Sequence, residues 1–295
     1  MARFDLKGAT AIVTGGSRGI GPHIATALAE RGARVALAAR SGAELEAVAD
    51  ELRAAGHDAL AITADVTSPG DRHAIVEIAQ RELGPIDVLV NNAGGDPQRQ
   101  FHDLTESDIE SVLDLNLTSA VVLARLVLPG MLARERGHVV SVSSMAGRVS
   151  FPHAEAYAAA KDGLIGFTRV LRGDYRRRGV SASALILGPV GDVGVGARTA
   201  EEVGIELPPV GLVSPARVGR ATVRAIVKDK AELAVLPGPG RLLRAIVDRF
   251  PATGPAMNRA TGTSRTMLTV AEYREREAQA ERDSESGSSA TAVRG

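Results

Sequence analysis

Cysteine and tryptophan are absent from this sequence, and aromatic residues make up only 3% of its 295 positions. Without cysteine there is no disulfide bond and no thiolate metal ligand, and we assign no metal site. Basic and acidic residues both number 35, so a formal net charge of zero gives no reason to expect nucleic acid or an anionic membrane as a partner. The N-terminus lacks the layout of a signal peptide, and no apolar run approaches the roughly 18 residues that span a bilayer. These absences favour a soluble, cytoplasmic protein.

What the sequence does contain is a regular alternation of short apolar runs and longer segments of helical period. Its hydrophobic content of 44% and charged content of 24% are ordinary for a globular protein. The predicted strands lie at 10–16, 33–40, 58–66, 86–95, 137–144, 180–188 and 232–238. The predicted helices lie at 21–32, 42–56, 69–83, 105–135, 154–178, 215–228 and 240–250. Strands that are apolar throughout and separated by helices indicate a three-layer α/β fold, with a parallel sheet covered on both faces.

The part of the chain after the sixth predicted strand is less regular. Residues 188–213 are rich in Gly, Val and Pro and follow the carboxyl end of a strand, so they predict either a substrate lid or an ordinary surface connection. The arginine-rich helix 240–250 fits a cap over a substrate pocket, or a surface that touches a partner or a membrane. We assign residues 1–250 to one domain and 251–295 to a C-terminal extension. The extension is predicted to be disordered from about residue 281, because it is polar and rich in small residues there.

The segment "VTGGSRGIG" places three glycines between the first predicted strand and the first predicted helix. Glycines permit a tight turn and let the backbone approach a pyrophosphate, while the helix N-terminus supplies N–H groups and a positive dipole. The spacing differs from the G-x-G-x-x-G of standard dinucleotide folds, and a plain tight turn is the alternative. The candidate cofactor contacts in this loop are Gly15, Ser17, Arg18, Gly19, Ile20 and Gly21.

The end of the second predicted strand bears on which dinucleotide is bound. An acidic residue there would bind the ribose 2′-hydroxyl of NAD, but this sequence has Arg40 and Ser41, with Arg18 in the glycine loop. Two guanidinium groups and a hydroxyl suit a 2′-phosphate, so NADP(H) is preferred and NAD(H) stays possible. The alternative is that both arginines are ordinary surface residues. Asp65 and Val66 end the third predicted strand, where the carboxylate could approach the adenine or serve in a helix cap or turn.

Further polar residues follow the later strands. The fourth predicted strand ends in "NNAGG", whose Asn92, Ala93 and Gly94 would let a cofactor lie against bare backbone, and Ser143 and Ser144 end the fifth. Asn116 is an unusual choice for a helix interior, with an ordinary satisfied amide as the alternative.

Tyr157 and Lys161 stand four residues apart, which places them on one helix face. A nearby ammonium stabilises a phenolate, so this pair is a candidate proton carrier, although an isolated pair of this kind is more often a packed aromatic beside a solvated lysine.

In this order, "TGGSRGIG", "NNAG", Asn116, "VSVSS" and "YAAAK" resemble the short-chain dehydrogenase/reductase family over roughly residues 5–190. The resemblance implies a doubly wound Rossmann-type fold in one domain that binds NAD(P)(H). It also implies a tetrad in which Tyr157 transfers the proton, Ser144 polarises the carbonyl oxygen, Lys161 tunes the tyrosine and holds the ribose, and Asn116 supports a water. Further cofactor contacts by this likeness are Tyr157, Lys161, Gly188, Pro189 and Val190.

The resemblance weakens after the sixth predicted strand. Leu187 stands where the family usually has proline, and Asp192 stands near the position of a threonine that bonds the nicotinamide. A carboxylate cannot donate a hydrogen bond to the carboxamide oxygen but can accept one from its NH2 group.

The function that follows is hydride transfer between NADP(H) and a ketone or secondary alcohol, with Tyr157 as general acid and base. Two alternatives stay open: an NAD-dependent alcohol dehydrogenase on the same scaffold, and a non-catalytic NADPH-binding regulator. We expect a hydrophobic small-molecule carbonyl or alcohol as substrate and a homodimer or homotetramer, and no nucleic acid or membrane partner. Several residues are expected to line the substrate site: Met145, Phe151, Pro152, His153, the loop 94–101 and the lid.

Overall fold

Seven parallel strands form one sheet in this computed structural model, which describes residues 4–191, 202–204, 211–238, 249–250, 253–260 and 262–292. The strands are β1 (Thr10–Thr14), β2 (Arg34–Ala39), β3 (Ala59–Thr63), β4 (Ile86–Asn91), β5 (Gly137–Ser144), β6 (Val180–Leu187) and β7 (Glu232–Val235). They lie in the order β3-β2-β1-β4-β5-β6-β7, and every neighbouring pair is parallel. The order reverses beside β1, so the carboxyl ends of β1 and β4 border the crevice where doubly wound folds bind ligands.

Helices cover both faces of this sheet. They are α1 (Gly21–Ala29), α2 (Gly42–Ala54), α3 (Pro69–Leu83), α4 (Glu106–Leu113), α5 (Ser119–Ala133), α6 (Glu155–Tyr175), α7 (Pro215–Val227), α8 (Thr253–Ala260) and α9 (Thr263–Ala292). Side chains alternate across each strand, so Ala11 and Val13 pack with α1, α2 and α7, whereas Ile12 packs with α3 and α5. This confirms the predicted three-layer, doubly wound α/β fold of Rossmann type.

The strand and helix boundaries follow the sequence pattern closely. The helix at 69–83 and the strand at 137–144 have the predicted bounds, and the other strands end earlier because their last residues turn into loops at the carboxyl edge. The predicted helix 105–135 is instead two α-helices joined by a π-helical turn, Asp114–Thr118. A π turn widens the helix by one residue, and such turns are common at functional sites.

The combined run Glu106–Ala133 is long and apolar enough to cross a membrane by length and composition, although the sequence pattern predicts no apolar run of that length. Leu123, Val127 and Met131 on this run are fully buried against the sheet and α3, so it behaves as a core helix.

The C-terminal extension is helical in the structure as far as Ala292, whereas disorder was expected from about residue 281. Residues favourable to helices (Ala, Glu and Arg) predominate in the part of α9 from 271 to 282, and Arg274 pairs with Glu277 one turn later. Most of the expected lid and of the helix 240–250 lies outside the described residues.

Candidate functional site

The crevice between β1 and β4 is held by a set of hydrogen bonds from Thr14 and Asn92. The buried Thr14 hydroxyl accepts from the backbone N–H groups of Asn92 and Ala93, both at 3.0 Å. Asn92 Nδ2 in turn donates to the carbonyls of Thr14 at 2.8 Å and Gly15 at 3.2 Å. Its Oδ1 atom is buried and has no hydrogen-bond partner among the residues that the structure describes. The ends of both strands are therefore joined into one rigid edge beneath the glycine loop.

The glycine loop turns sharply between β1 and α1. Its backbone has φ values of 66° at Gly15 and 68° at Gly19, a region in which side chains with a Cβ are strained. Gly21 begins α1, with Pro22 next to it in the first turn. Ser17 and Ile20 are half-buried, whereas Arg18 is exposed to solvent.

The end of β2 carries Arg40 and Ser41 beside the end of β3. The Arg40 side chain is 70% exposed and its Nη1 lies 3.8 Å from Asp65 Oδ2. Ser41 precedes α2, and Val66 is buried next to Asp65. Asp65 accepts from the backbone N–H and the hydroxyl of Thr67 at 2.9 and 2.8 Å, which is a turn-stabilising arrangement.

Burial alone would raise the pKa of Asp65. The two hydrogen bonds from Thr67 and the charges of Arg40 and Arg72 nevertheless hold its pKa below the usual range. The bonds from Thr67 support the turn role considered for Asp65, and its carboxylate also lies within ion-pair distance of Arg40.

Asn116 lies in the π-helical turn and is bound on both sides to Gly95. Its Nδ2 donates to the Gly95 carbonyl at 2.7 Å and to Val112 at 2.9 Å, and its Oδ1 accepts from the Gly95 N–H at 3.2 Å. Only 1% of Asn116 is exposed. The side-chain amide of Asn116 therefore has hydrogen-bond partners for both its nitrogen and its oxygen, as the alternative of an ordinary satisfied amide expects. These bonds fix the segment that follows β4 against the helix.

Lys161 lies beneath the same segment. Its side chain is buried, and its Nζ donates to the Val142 carbonyl at 3.1 Å and lies 5.4 Å from the centroid of the Tyr157 ring. A Cβ atom at Gly94 would come within 2.7 Å of Asn116 Oδ1 and 3.0 Å of Lys161 Nζ, so only glycine fits without displacing them. Burial lowers the pKa of Lys161 to about 8. The alternative of a solvated lysine beside a packed aromatic is therefore wrong for Lys161, because this side chain is buried.

Tyr157 and Ser144 meet across the end of β5 and the first turns of α6. Burial raises the pKa of Tyr157 to about 12, while a hydrogen bond with the Ser144 hydroxyl lowers it and the charge of Asp96 raises it. The Ser144 hydroxyl also accepts from the Ala146 N–H at 3.1 Å, which orients it. Ser143 points elsewhere, since its hydroxyl donates to the Lys161 carbonyl at 2.8 Å. The structure thus brings Asn116, Ser144, Tyr157 and Lys161 to one end of the sheet.

The segment after β6 continues the same edge. Leu187, which replaces the family's proline, is buried and ends the strand, and the Gly188 N–H donates to Val235 at 3.0 Å. The Pro189 carbonyl accepts from the Val213 N–H at 2.8 Å, and Val190 forms a parallel bridge with Val213. Asp192 lies outside the described residues.

Thr14 at this edge was not identified as a site residue from the sequence, and Asp96 and Arg99 were expected only as members of the loop 94–101 that lines the substrate site. Thr14 could have been found from its place at the end of β1, directly before the glycine loop. Asp96 directly follows "NNAGG", and burial raises its pKa to about 7, with the charge of Glu155 adding to the rise and the Gln98 N–H opposing it. Arg99 is buried and bonded to a helix far along the chain, which no local sequence signal reveals.

Comparison with known proteins extends these observations. The family model described as short chain dehydrogenase matches residues 9–202. The chain belongs to the short-chain dehydrogenase family. Members of this family are NAD(P)-dependent oxidoreductases that act on CH–OH or C=O groups, and so is this protein.

Several relatives of this short-chain dehydrogenase carry more specific names. Ketoacyl reductase HetN of Nostoc sp. is 36% identical over 79% of this chain and 80% of its own length. The 3-oxoacyl-[acyl-carrier-protein] reductase FabG of Vibrio cholerae is 36% identical over 63% of this chain and 75% of its own length.

Among solved structures, a variant of actinorhodin polyketide ketoreductase with NADPH is 32% identical with a TM-score of 0.73, over 81% of this chain and 99% of its own. A metagenomic short-chain oxidoreductase in complex with NADP is 30% identical with a TM-score of 0.68, over 80% of this chain and 100% of its own. The predicted family and fold are confirmed.

Proposed function

We propose that this short-chain dehydrogenase is an NADPH-dependent reductase that converts a ketone to a secondary alcohol, with Tyr157 as the proton donor. The observation that carries the proposal is the meeting of Ser144, Tyr157 and Lys161 at the sheet edge that also bears the glycine loop. The named ketoreductase relatives and the NADP and NADPH complexes of the structural neighbours support the substrate class and the cofactor.

The residues present fit a bound dinucleotide. Backbone N–H groups at the start of α1 suit a pyrophosphate, and Gly94 leaves exposed, bare backbone beside Asn116 and Lys161, against which a cofactor could lie. Arg18 and Arg40 are the cations available for a 2′-phosphate, and we assign NADP(H) preference to them together with Ser41. The other proposed cofactor contacts are Gly15, Ser17, Gly19, Ile20, Gly21, Asp65, Val66, Asn92, Ala93, Gly94, Tyr157, Lys161, Gly188, Pro189 and Val190.

When bound, NADPH supplies the hydride that reduces the carbonyl carbon. Negative charge then develops on the carbonyl oxygen, and the Tyr157 phenol donates its proton there while the Ser144 hydroxyl donates a hydrogen bond. Burial raises the pKa of Tyr157 to about 12, so the phenol carries its proton at neutral pH. Lys161 holds positive charge over the ring, and Asn116 holds the Gly95 backbone that borders the pocket.

A screen of NADPH consumption tests this proposal across aliphatic, aromatic, acyl-thioester and steroid ketones, with NADH as the parallel cofactor. The expected result is turnover of at least one hydrophobic ketone, faster with NADPH than with NADH. Tight NADPH binding with no turnover of any carbonyl class would overturn the proposed activity, and faster turnover with NADH would overturn the cofactor preference.

We also propose a homodimer or homotetramer, located in the cytoplasm, on the sequence grounds given above. Light scattering coupled to size-exclusion chromatography measures the oligomeric state directly, and a monomeric mass would contradict it.

A further inference from the structure

One face of α9 packs against the body of the protein. Met267, Val270 and Ala271 on this face are buried, with exposed fractions of 8%, 2% and 0%. Arg274 and Glu275 continue the same face one turn later, because residues separated by three, four, seven and eight positions lie together on a helix. Arg274 forms an ion pair with Glu202, so α9 also contacts the short described piece of the expected lid.

Arg99 joins α9 to the loop that follows β4. Its side chain is only 7% exposed, and its Nε donates to Glu275 Oε2 at 2.7 Å. Its two other nitrogens donate to Asp108 Oδ2 at 3.1 Å and to the Asp103 carbonyl at 2.8 Å. Charge-assisted bonds from a buried guanidinium group are strong and directional. The side chain of Arg99 therefore links the loop after β4, the start of α4 and the C-terminal helix α9.

The loop held by Arg99 begins inside the candidate active site. Gly95 is bonded on both sides to Asn116, and the charge of Asp96 acts on the Tyr157 phenol. Arg99 lies only three residues after Asp96. A displacement of the anchored end would therefore reach the pocket border within a few residues of the proposed proton donor.

The opposite border of the site is held by the other C-terminal helix. Ser150 lies in the loop that follows Ser144 and the end of β5. Its carbonyl accepts a hydrogen bond from Asn258 Nδ2 on α8. The buried Gly254 at the start of α8 lies against the same serine, and a Cβ atom there would sit 3.4 Å from Ser150 Oγ. Both loops that flank Tyr157 thus contact the C-terminal extension, which lies beyond the region that the family model matches.

We propose that α8 and α9 form a fixed wall of the substrate site and that Arg99 is a positioning residue for substrate binding. Its bond to Glu275 holds the loop 94–103 at the distance from Tyr157 that the substrate requires. The claim that a carbonyl substrate binds at this wall rests on the proposed function. The claim that α9 holds the loop 94–103 does not depend on the proposed function.

At the β4 end of this loop, the proposed cofactor contacts Asn92 and Ala93 are held by Thr14. Gly95, next to the proposed cofactor contact Gly94, is held by Asn116. Loss of the Arg99 bond should therefore weaken substrate binding and leave cofactor binding unchanged.

The test begins with Glu275→Ala, which removes the acceptor on α9 and leaves Arg99 its bonds to Asp103 and Asp108. Glu275→Gln keeps an acceptor oxygen without the charge and should lie between Glu275→Ala and the wild type. Arg265→Ala, at an exposed position of the same helix, is the matched control. Hydrogen exchange should become faster in residues 263–280 and in residues 96–103 of Glu275→Ala, to a smaller extent in Glu275→Gln, and not in Arg265→Ala.

Kinetics on a ketone identified by the screen give the second readout. We expect KM to rise about tenfold in Glu275→Ala, the effect of losing one charge-assisted hydrogen bond, with kcat within about twofold and the Kd for NADPH unchanged. Faster exchange in α9 without any change in residues 96–103 would overturn the holding of the loop. Faster exchange in both segments with an unchanged KM would overturn the wall. If no carbonyl is turned over, the proposed function fails, and the exchange of residues 96–103 still decides whether α9 holds the loop.

Discussion

The side-chain amide of Asn116 and the backbone of Gly95 bond to each other in both directions. Asn116 Nδ2 donates to the Gly95 carbonyl at 2.7 Å, and the Gly95 N–H donates to Asn116 Oδ1 at 3.2 Å. The pair forms where the helix widens into a π turn, which aims a buried amide at the segment following β4. Gly94 lies directly before Gly95 and close to Lys161, whose Nζ lies near the Tyr157 ring. The bonds between Asn116 and Gly95 therefore position the backbone that borders the proposed proton donor.

Replacing Asn116 with alanine should therefore affect both stability and activity. The substitution leaves the half-buried N–H and carbonyl of Gly95 and the carbonyl of Val112 without their bonds to Asn116, so the free energy of unfolding should fall by about 1–3 kcal/mol. Urea denaturation measures this loss, and kcat should fall at least tenfold on the ketone that the screen identifies. Asn91→Ala is the matched control, since Asn91 is equally buried but bonds the Ala120 carbonyl in the core. Equal losses of kcat in both variants would contradict a specific role for Asn116.

Arg40 is the residue that we expect to decide between the two dinucleotides. Arg40→Asp replaces a cation by a carboxylate beside the proposed 2′-phosphate, so the Kd for NADPH should rise by at least tenfold. The Kd for NADH should stay the same or fall, because a carboxylate at this position can accept from the ribose hydroxyl. Arg31→Asp makes the same charge change at an exposed position before β2, at the opposite edge of the sheet, and should change neither Kd. If the Kd values for NADPH and NADH rise by the same factor in Arg40→Asp, Arg40 does not discriminate between the two cofactors.

Asp96 should add to the effect of burial and raise the pH at which Tyr157 ionises. Burial raises the pKa of Asp96 to about 7, so above that pH its negative charge opposes formation of the phenolate and raises the pKa of Tyr157. Asp96→Asn removes this charge, and the phenolate should then form at a lower pH than in the wild type. Ultraviolet titration of tyrosinate measures this, since the chain has only three tyrosines and Tyr157→Phe identifies the relevant signal.

Asp174→Asn, at the far exposed end of α6, is the control for Asp96 and should leave the titration of Tyr157 unchanged. An unchanged or higher pH of phenolate formation in Asp96→Asn would contradict the electrostatic coupling of Asp96 with Tyr157.

Much of the fold was predictable because its signals are local. Continuous apolar runs such as Thr10–Thr14 and Val180–Leu187 mark buried parallel strands, and Gly, Pro and Ser mark where the helices begin and end. The order of the motifs along the chain also brought Asn116, Ser144, Tyr157 and Lys161 together, since the carboxyl ends of parallel strands share one edge.

The remaining features depend on contacts that the local pattern does not encode. The π turn at Asp114–Thr118 has no distinctive composition, and the bond from Arg99 to Glu275 spans 176 positions. The burial of Lys161 follows from the shape of the surrounding core rather than from its neighbours in sequence. Such long-range packing decides which of several equally plausible polar residues become part of a site.

The most direct test of the central claim is single-turnover NADPH oxidation by Tyr157→Phe on an identified ketone, compared with Tyr175→Phe. Tyr175 lies at the other end of the same helix and makes a matched control. With the Kd for NADPH unchanged, the account predicts a rate at least 100-fold lower in Tyr157→Phe, about the contribution of a general acid, and a wild-type rate in Tyr175→Phe. A wild-type rate in Tyr157→Phe would contradict the assignment of Tyr157 as the proton donor.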